Sequence, residues 1–97
     1  MPGKKSGRFD KDGIGDLAND KPVVYQIENA KGDNIYTGVA KRGRVEERLN
    51  EHLPGAKDPI RGGTRVRIQQ KPSIDEARKS EERIIKRQQP PQNKKGK

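Results

Sequence analysis

Cysteine is absent, so disulfides and thiolate metal sites are excluded, and nothing indicates a redox compartment. No apolar run is long enough for a signal-peptide core or a membrane span. The expectation is a domain that acts in the cytoplasm and has no membrane partner. Bulky apolar residues are also scarce. Leu, Ile, Val and Phe make up 17 of the 97 residues, below the roughly 20% at which a strongly charged chain tends toward disorder.

The scarcity is uneven. Residues 1–20 contain only Phe9, Ile14 and Leu17 among Gly, Lys and Asp, with no sustained period, and residues 91–97 contain none of the four types. The expected organisation is a flexible leader or linker over 1–20, one small domain with a thin core over 21–93, and a basic tail over 94–97.

Charge follows the same division. The net charge is +9. In residues 1–20, Lys4, Lys5, Arg8 and Lys11 balance Asp10, Asp12, Asp16 and Asp20, so the whole excess lies in the later residues. A basic folded domain points to a polyanion partner, although a solvated basic face gives the same balance.

Alternation marks the strands. Val23, Tyr25 and Ile27 alternate with Gln26 and Glu28, and the turn cluster Asn29 to Asn34 leads into Ile35-Tyr36-Thr37-Gly38-Val39. This reads as a hairpin in which Gly38 signals a close backbone approach or a bulge. Thr64 to Gln70 alternates strictly, with Val66 and Ile68 on one face and Arg65 and Arg67 on the other, as suits an edge strand with a basic outer face.

Two helices punctuate these strands. The first spans about Arg44 to Leu53 and stops at Pro54-Gly55. Val45, Arg48, Leu49 and His52 share one of its faces, so an apolar stripe carries an arginine and the chain's single histidine. An arginine there needs an anionic partner or a ligand. The second helix starts at a capping box, Ser73 with Glu76, and runs to about Gln88 before Pro90-Pro91. Its stripe of Ile74, Ala77, Ile84 and Ile85 includes Glu81, whereas Glu82 points away. The simplest architecture is α+β, a three-stranded antiparallel sheet flanked by helices in the order β-β-α-β-α.

Each of these polar residues also has a plain structural use: the tyrosines as core aromatics, Glu81 as an ion-pair partner of Arg48, Asn93 as tail. Their order, however, resembles the GIY-YIG nuclease family. Val23-Val24-Tyr25 stands in place of Gly-Ile-Tyr, and Tyr36-Thr37-Gly38 in place of Tyr-Ile-Gly, with the tyrosines eleven apart. Ala40-Lys41, Arg48-x-x-x-His52, Ala77-x-x-x-Glu81-x-x-Ile84-Ile85 and Pro90-Pro91-Gln92-Asn93 follow in the family's order, so the likeness covers residues 22–93. The departures are Val23 for the first glycine and two extra residues between Gly38 and Arg48.

The resemblance implies a metal-dependent endonuclease acting on nucleic acid, with DNA favoured over RNA. It implies catalytic roles for Tyr25, Tyr36, Arg48, His52, Glu81 and Asn93. Glu81 would be the ligand of one Mg²⁺ or Mn²⁺ ion that keeps most of its waters. One tyrosine, Tyr25 or Tyr36, would be the general base, its pKa lowered by the metal and the arginine. Asn93 would fix the metal side of the pocket. Lys41, Arg42, Arg44, Arg65 and Arg67, with the 94–97 tail, are expected to follow the phosphate backbone. A nucleic-acid-binding module without activity is the alternative from another class. As to role, the leader resembles the junction before a secreted antibacterial toxin domain, which would act in a target cell and have an immunity protein as partner. A housekeeping repair or mobile-element nuclease is the competing role.

Overall fold

The computed structural model describes the backbone of residues 5–96 and the side chains of residues 5–93; Met1–Lys4, Lys97 and the side chains of the 94–96 stretch expected as basic tail lie outside the described residues. The elements are β1 (Ser6–Arg8), α1 (Lys11–Gly15), β2 (Val23–Glu28), β3 (Asn34–Ala40), α2 (Val45–Asn50), β4 (Arg65–Gln70), α3 (Ile74–Gln88) and a closing 3₁₀ helix (Pro91–Gly96). Among the described residues, no helix is long and apolar enough to cross a membrane.

The hairpin forms where the alternation places it. Asn29 Oδ1 accepts from the backbone N–H groups of Lys31 and Asp33, at 3.0 and 2.9 Å, which closes the turn between β2 and β3. β4 pairs with the other side of β2, so β2 is central and buried on both faces. The two expected helices form as well. Ser73 Oγ accepts from Glu76 N at 3.2 Å at the start of α3, and α2 is shorter than its pattern, passing into a turn at Glu51.

One edge of the sheet corrects the expectation. The sheet has four strands in the order β1-β4-β2-β3, not three, and β4 is internal, not an edge. The fourth strand comes from residues that read as a flexible leader. Ser6, Gly7 and Arg8 pair antiparallel with Arg67, Val66 and Arg65. Phe9 N–H then donates to Thr64 O at 3.1 Å, and Asp10 caps α1 by accepting from Gly13 N at 2.7 Å. Gly13 allows α1 to lie on β1, because a Cβ there would sit 2.2 Å from Arg8 O. Phe9, Ile14, Leu17 and Ala18 are buried in the central core cluster. The physical reason for the miss is that anchors this widely spaced make no period of their own. They gain their apolar contacts only against the rest of the domain.

Register assigns the faces of the sheet. Tyr25 is paired with Gly38 and Ile68, and Ile27 with Tyr36 and Val66, so these side chains share one face. That face packs with Val45 and Leu49 of α2 in the core cluster, against which Tyr36 also packs. Val24, Gln26, Thr37, Arg65 and Arg67 point to the other face. α3 packs along β3 and β2.

Candidate active site

Tyr25 and Tyr36 share the front face of the hairpin, with ring centroids 6.2 Å apart. Tyr25 is fully buried. Its ring lies directly over Gly38 across the strand pair: a Cβ on Gly38 would be 2.6 Å from the Tyr25 hydroxyl. The expected close approach at Gly38 is therefore the seat of a tyrosine.

His52 closes the cluster from above. The turn after α2 brings it inward, where it is 2% exposed, with its ring 5.8 Å from Tyr25 and 4.8 Å from Tyr36. His52 Nδ1 is 2.9 Å from the carbonyl oxygen of Asp58, and Nε2 is 2.8 Å from the Tyr25 hydroxyl. A carbonyl can only accept, so Nδ1 carries the hydrogen. Nε2 of the neutral ring is then a lone pair, and Tyr25 O–H donates to it. The loop that follows is stitched to the same turn, with Asp58 N–H donating to Glu51 O and Ile60 N–H to His52 O, both at 2.9 Å.

Tyr36 is only half-buried and faces an open cleft of about 1320 Å³. Asp58, Glu81 and Asn93 line the same cleft. Arg48 is the charged member of the α2 stripe, as expected, but its side chain is 46% exposed and lies 3.5 Å from Glu51. Its guanidinium acts on three groups of the cluster, lowering the pKa of Tyr25, Tyr36 and Glu81. Tyr25, Tyr36 and His52 thus form one ring cluster, and Glu81 shares the cleft that Tyr36 faces.

Burial decides the protonation of that cluster. Desolvation pushes the Tyr25 phenol far above its usual range, with Tyr36 adding to the effect and Arg48 opposing it. Tyr36 is raised by desolvation first and by the Asp58 carboxylate second, again against Arg48. In the domain without a cation burial outweighs the arginine; the expected lowering called for the arginine and the metal together. Glu81 is raised by desolvation too, opposed first by Arg78 and then helped by Glu82.

Asn93 reaches the cleft, but its amide is used elsewhere. Oδ1 accepts from Thr37 N at 2.7 Å, and Nδ2 donates to Thr37 O at 2.8 Å. It pairs with the edge strand β3 as a neighbouring strand would, so it holds the backbone next to Tyr36. Lys41, Arg42 and Arg44 are exposed in and beside the loop entering α2, and Arg44 is bound to Glu47 at 2.6 Å. Arg65 and Arg67 lie on the face opposite Tyr25 and Tyr36, and Arg67 pairs with Glu28 at 3.1 Å. The structure does not bring them to the cleft.

Two contributors were missed in the sequence. Asp58 holds the histidine through a backbone carbonyl, a contact for which its residue type gives no signal. Asn19 Oδ1 accepts from Val45 N at 2.8 Å and Asn19 O from Gly43 N at 2.9 Å, so the N-terminal segment caps α2. An asparagine shortly before a strand carries no pattern that points to a helix 26 residues away.

Residues 21–95 match the GIY-YIG catalytic domain family. The chain belongs to that family. It is therefore a nuclease domain, as the motif order implied, and β1 and α1 lie ahead of the matched region. A solved relative, the GIY-YIG N-terminal endonuclease domain of UvrC from Thermotoga maritima bound to its catalytic magnesium, is 32% identical. That likeness covers 77% of this chain and 85% of the relative, with a TM-score of 0.65. No curated protein matches.

The cleft of this GIY-YIG domain suits a hard cation held mainly by water. Among the described residues no three His, Cys, Asp or Glu side chains come together as a metal cage. Glu81 offers a half-buried carboxylate on the cleft wall, with no hydrogen bond or ion pair among the described residues, and Tyr36 and Asp58 line the same cleft. That donor set fits Mg²⁺ or Mn²⁺, which keep several waters, and not Zn²⁺.

Proposed function

We propose that the domain is a DNA endonuclease using one divalent cation, Mg²⁺ or Mn²⁺, held by Glu81. The observation that carries this reading is that Glu81 and Tyr36 line one cleft, with Tyr36 packed against the hydrogen-bonded Tyr25–His52 pair. Hydrolysis adds a water oxygen to phosphorus, releases an ester oxygen that must gain a proton, and builds negative charge on the phosphate. The cation, when bound, supplies positive charge to the phosphate and to the leaving oxygen.

The chain's own residues divide the remaining work. Arg48 binds a phosphate oxygen through its planar fork, which Glu51 orients from one side. Tyr36 is the tyrosine that meets water, because it faces the cleft and Tyr25 does not. In the free domain Tyr36 holds its proton; to take one from water it would first release its own to solvent, a loss that positive charge in the cleft would favour. Tyr25 is a positioning residue: its O–H is directed into His52 Nε2, and the two rings form the wall on which Tyr36 rests. Asn93 fixes the backbone beside Tyr36.

The toxin reading loses its basis in the sequence, because the segment taken as a junction is packed into the core. Expression without an immunity protein tests the role: arrested growth favours a toxin, and normal growth of cells making active enzyme favours repair or mobility. The activity itself is tested by nicking of supercoiled plasmid in Mg²⁺ and in EDTA. Cleavage that EDTA abolishes is expected. Plasmid that is bound but intact at every enzyme level would make the domain a binding module.

A further inference from the structure

The charged face of α3 is absorbed by none of the roles above. Lys79, Arg83 and Lys86 are exposed and line the same cleft as Tyr36 and Glu81. They stand at i, i+4 and i+7, so they form one row about 10 Å long on the helix. Arg83 and Lys86 have no ion pair among the described residues, and Lys79 has a loose one with Glu76 at 3.9 Å. The acidic side chains on the cleft are Asp58 and Glu81 beside Tyr36, with Glu82 on the helix between the two.

The rival basic surface is of a different kind. On the opposite sheet face Arg67 is held by Glu28 at 3.1 Å, and Arg8 of β1, which pairs in register with Arg65, by Asp10 at 3.4 Å. Asp12 and Asp16 line the groove between them. Those cations are largely neutralised by their own neighbours, and they face away from the reacting groups.

We propose that Lys79, Arg83 and Lys86 form the track along which a nucleic-acid backbone enters the cleft. The proposal rests on the nuclease reading and names the surface that serves it. One strand of a duplex advances about 3.4 Å along its axis per phosphate, so a row of about 10 Å spans three phosphates. Along α3 Glu81 falls between Lys79 and Arg83 but about 160° around the helix from Arg83, so a backbone held by the row reaches Glu81 across the cleft that all four residues line. Backbone contacts of this kind carry no base information, so binding along α3 is indifferent to sequence.

The test is metal-free binding of a fluorescent duplex oligonucleotide by anisotropy, from 50 to 200 mM salt, with the full chain. Lys79→Gln/Arg83→Gln/Lys86→Gln keeps good helix formers on an exposed face. It should flatten the log–log salt slope by about 2 to 3, at roughly 0.9 per phosphate contact, and weaken binding about tenfold or more. Arg83→Gln alone should flatten the slope by about 1, which keeps the test sound if the triple variant folds poorly. Arg65→Gln/Arg67→Gln tests the rival track and should leave the slope unchanged. An unchanged slope in the α3 variants, or loss of slope in the β4 variant, overturns the proposal. Absence of any binding by the unaltered chain overturns it together with the nuclease reading. Binding through α3 without cleavage in Mg²⁺ upholds the track and removes the hydrolytic reading alone.

Discussion

The N-terminal unit, residues 6–19, places Phe9, Ile14 and Leu17 among charged neighbours and uses them to close a sheet edge. The cleft does the reverse, placing Tyr25, Tyr36, His52 and Glu81 among apolar neighbours of the hairpin, α2 and α3. In the first region polar residues are solvated and the apolar ones hold the structure. In the second, burial changes the polar groups themselves, raising the pKa of Tyr25, Tyr36 and Glu81. A polar residue on an apolar stripe is therefore the informative signal, and an apolar residue in a polar run is the one that local patterns hide. The two regions meet at Asn19, which joins the N-terminal unit to the helix that bears Arg48 and leads to His52.

The comparison breaks most severely at Phe9. If its region were only a leader, Phe9→Ala would leave stability unchanged. Its burial in the core cluster instead calls for a loss of about 3–5 kcal/mol, typical of a large aromatic removed from a core. Urea unfolding measures it, and a midpoint equal to that of the unaltered protein would return the segment to the status of a tail.

Asn19→Ala sharpens the link between the regions. Removing a side-chain cap costs about 1 kcal/mol. Because α2 carries Arg48 and leads into the turn that bears His52, cleavage should also fall by a few-fold, and a loss of stability with unaltered cleavage would show that the cap does not position the helix.

A smaller effect separates Glu81 from a structural ion pair. Its folded pKa is raised above the ordinary 4.5, so the fold disfavours its charged form. Stability is gained as pH falls through the raised value toward 4.5, where the unfolded chain also takes up the proton. At pH 7 Glu81→Gln should melt slightly above the unaltered protein, and the gap should narrow as the pH approaches 5. A melting temperature lowered by the substitution at pH 7 would mean that Glu81 is a net stabilising partner of its arginines.

Legibility in the sequence followed the same physical division. The hairpin, both long-pattern helices, the ring cluster of Tyr25, Tyr36 and His52 and the place of Glu81 on the cleft that Tyr36 faces were visible, because strand alternation and the helical stripe depend on neighbours a few residues apart. β1, α1 and the internal place of β4 were not, because three widely spaced anchors form no period and pair with a strand about sixty residues later. Asn93 was found, and its partner was not. Its twin contacts with the Thr37 backbone depend on where the closing 3₁₀ helix crosses β3, and no residue spacing encodes that crossing. The place of Arg65 and Arg67 relative to the tyrosines was not legible, because alternation says that two residues share a face without saying which face holds the site.

The central claim is that Glu81, and not simply negative charge on α3, holds the catalytic cation. Glu82 is its neighbour with the same chemistry, but it is exposed and about 100° around the helix. Single-turnover plasmid cleavage in Mg²⁺ compares Glu81→Gln with Glu82→Gln directly. Glu81→Gln should slow cleavage by about two to three orders of magnitude, while Glu82→Gln stays within a few-fold of the unaltered enzyme. Equal rates for the two variants would contradict the assignment of the metal site.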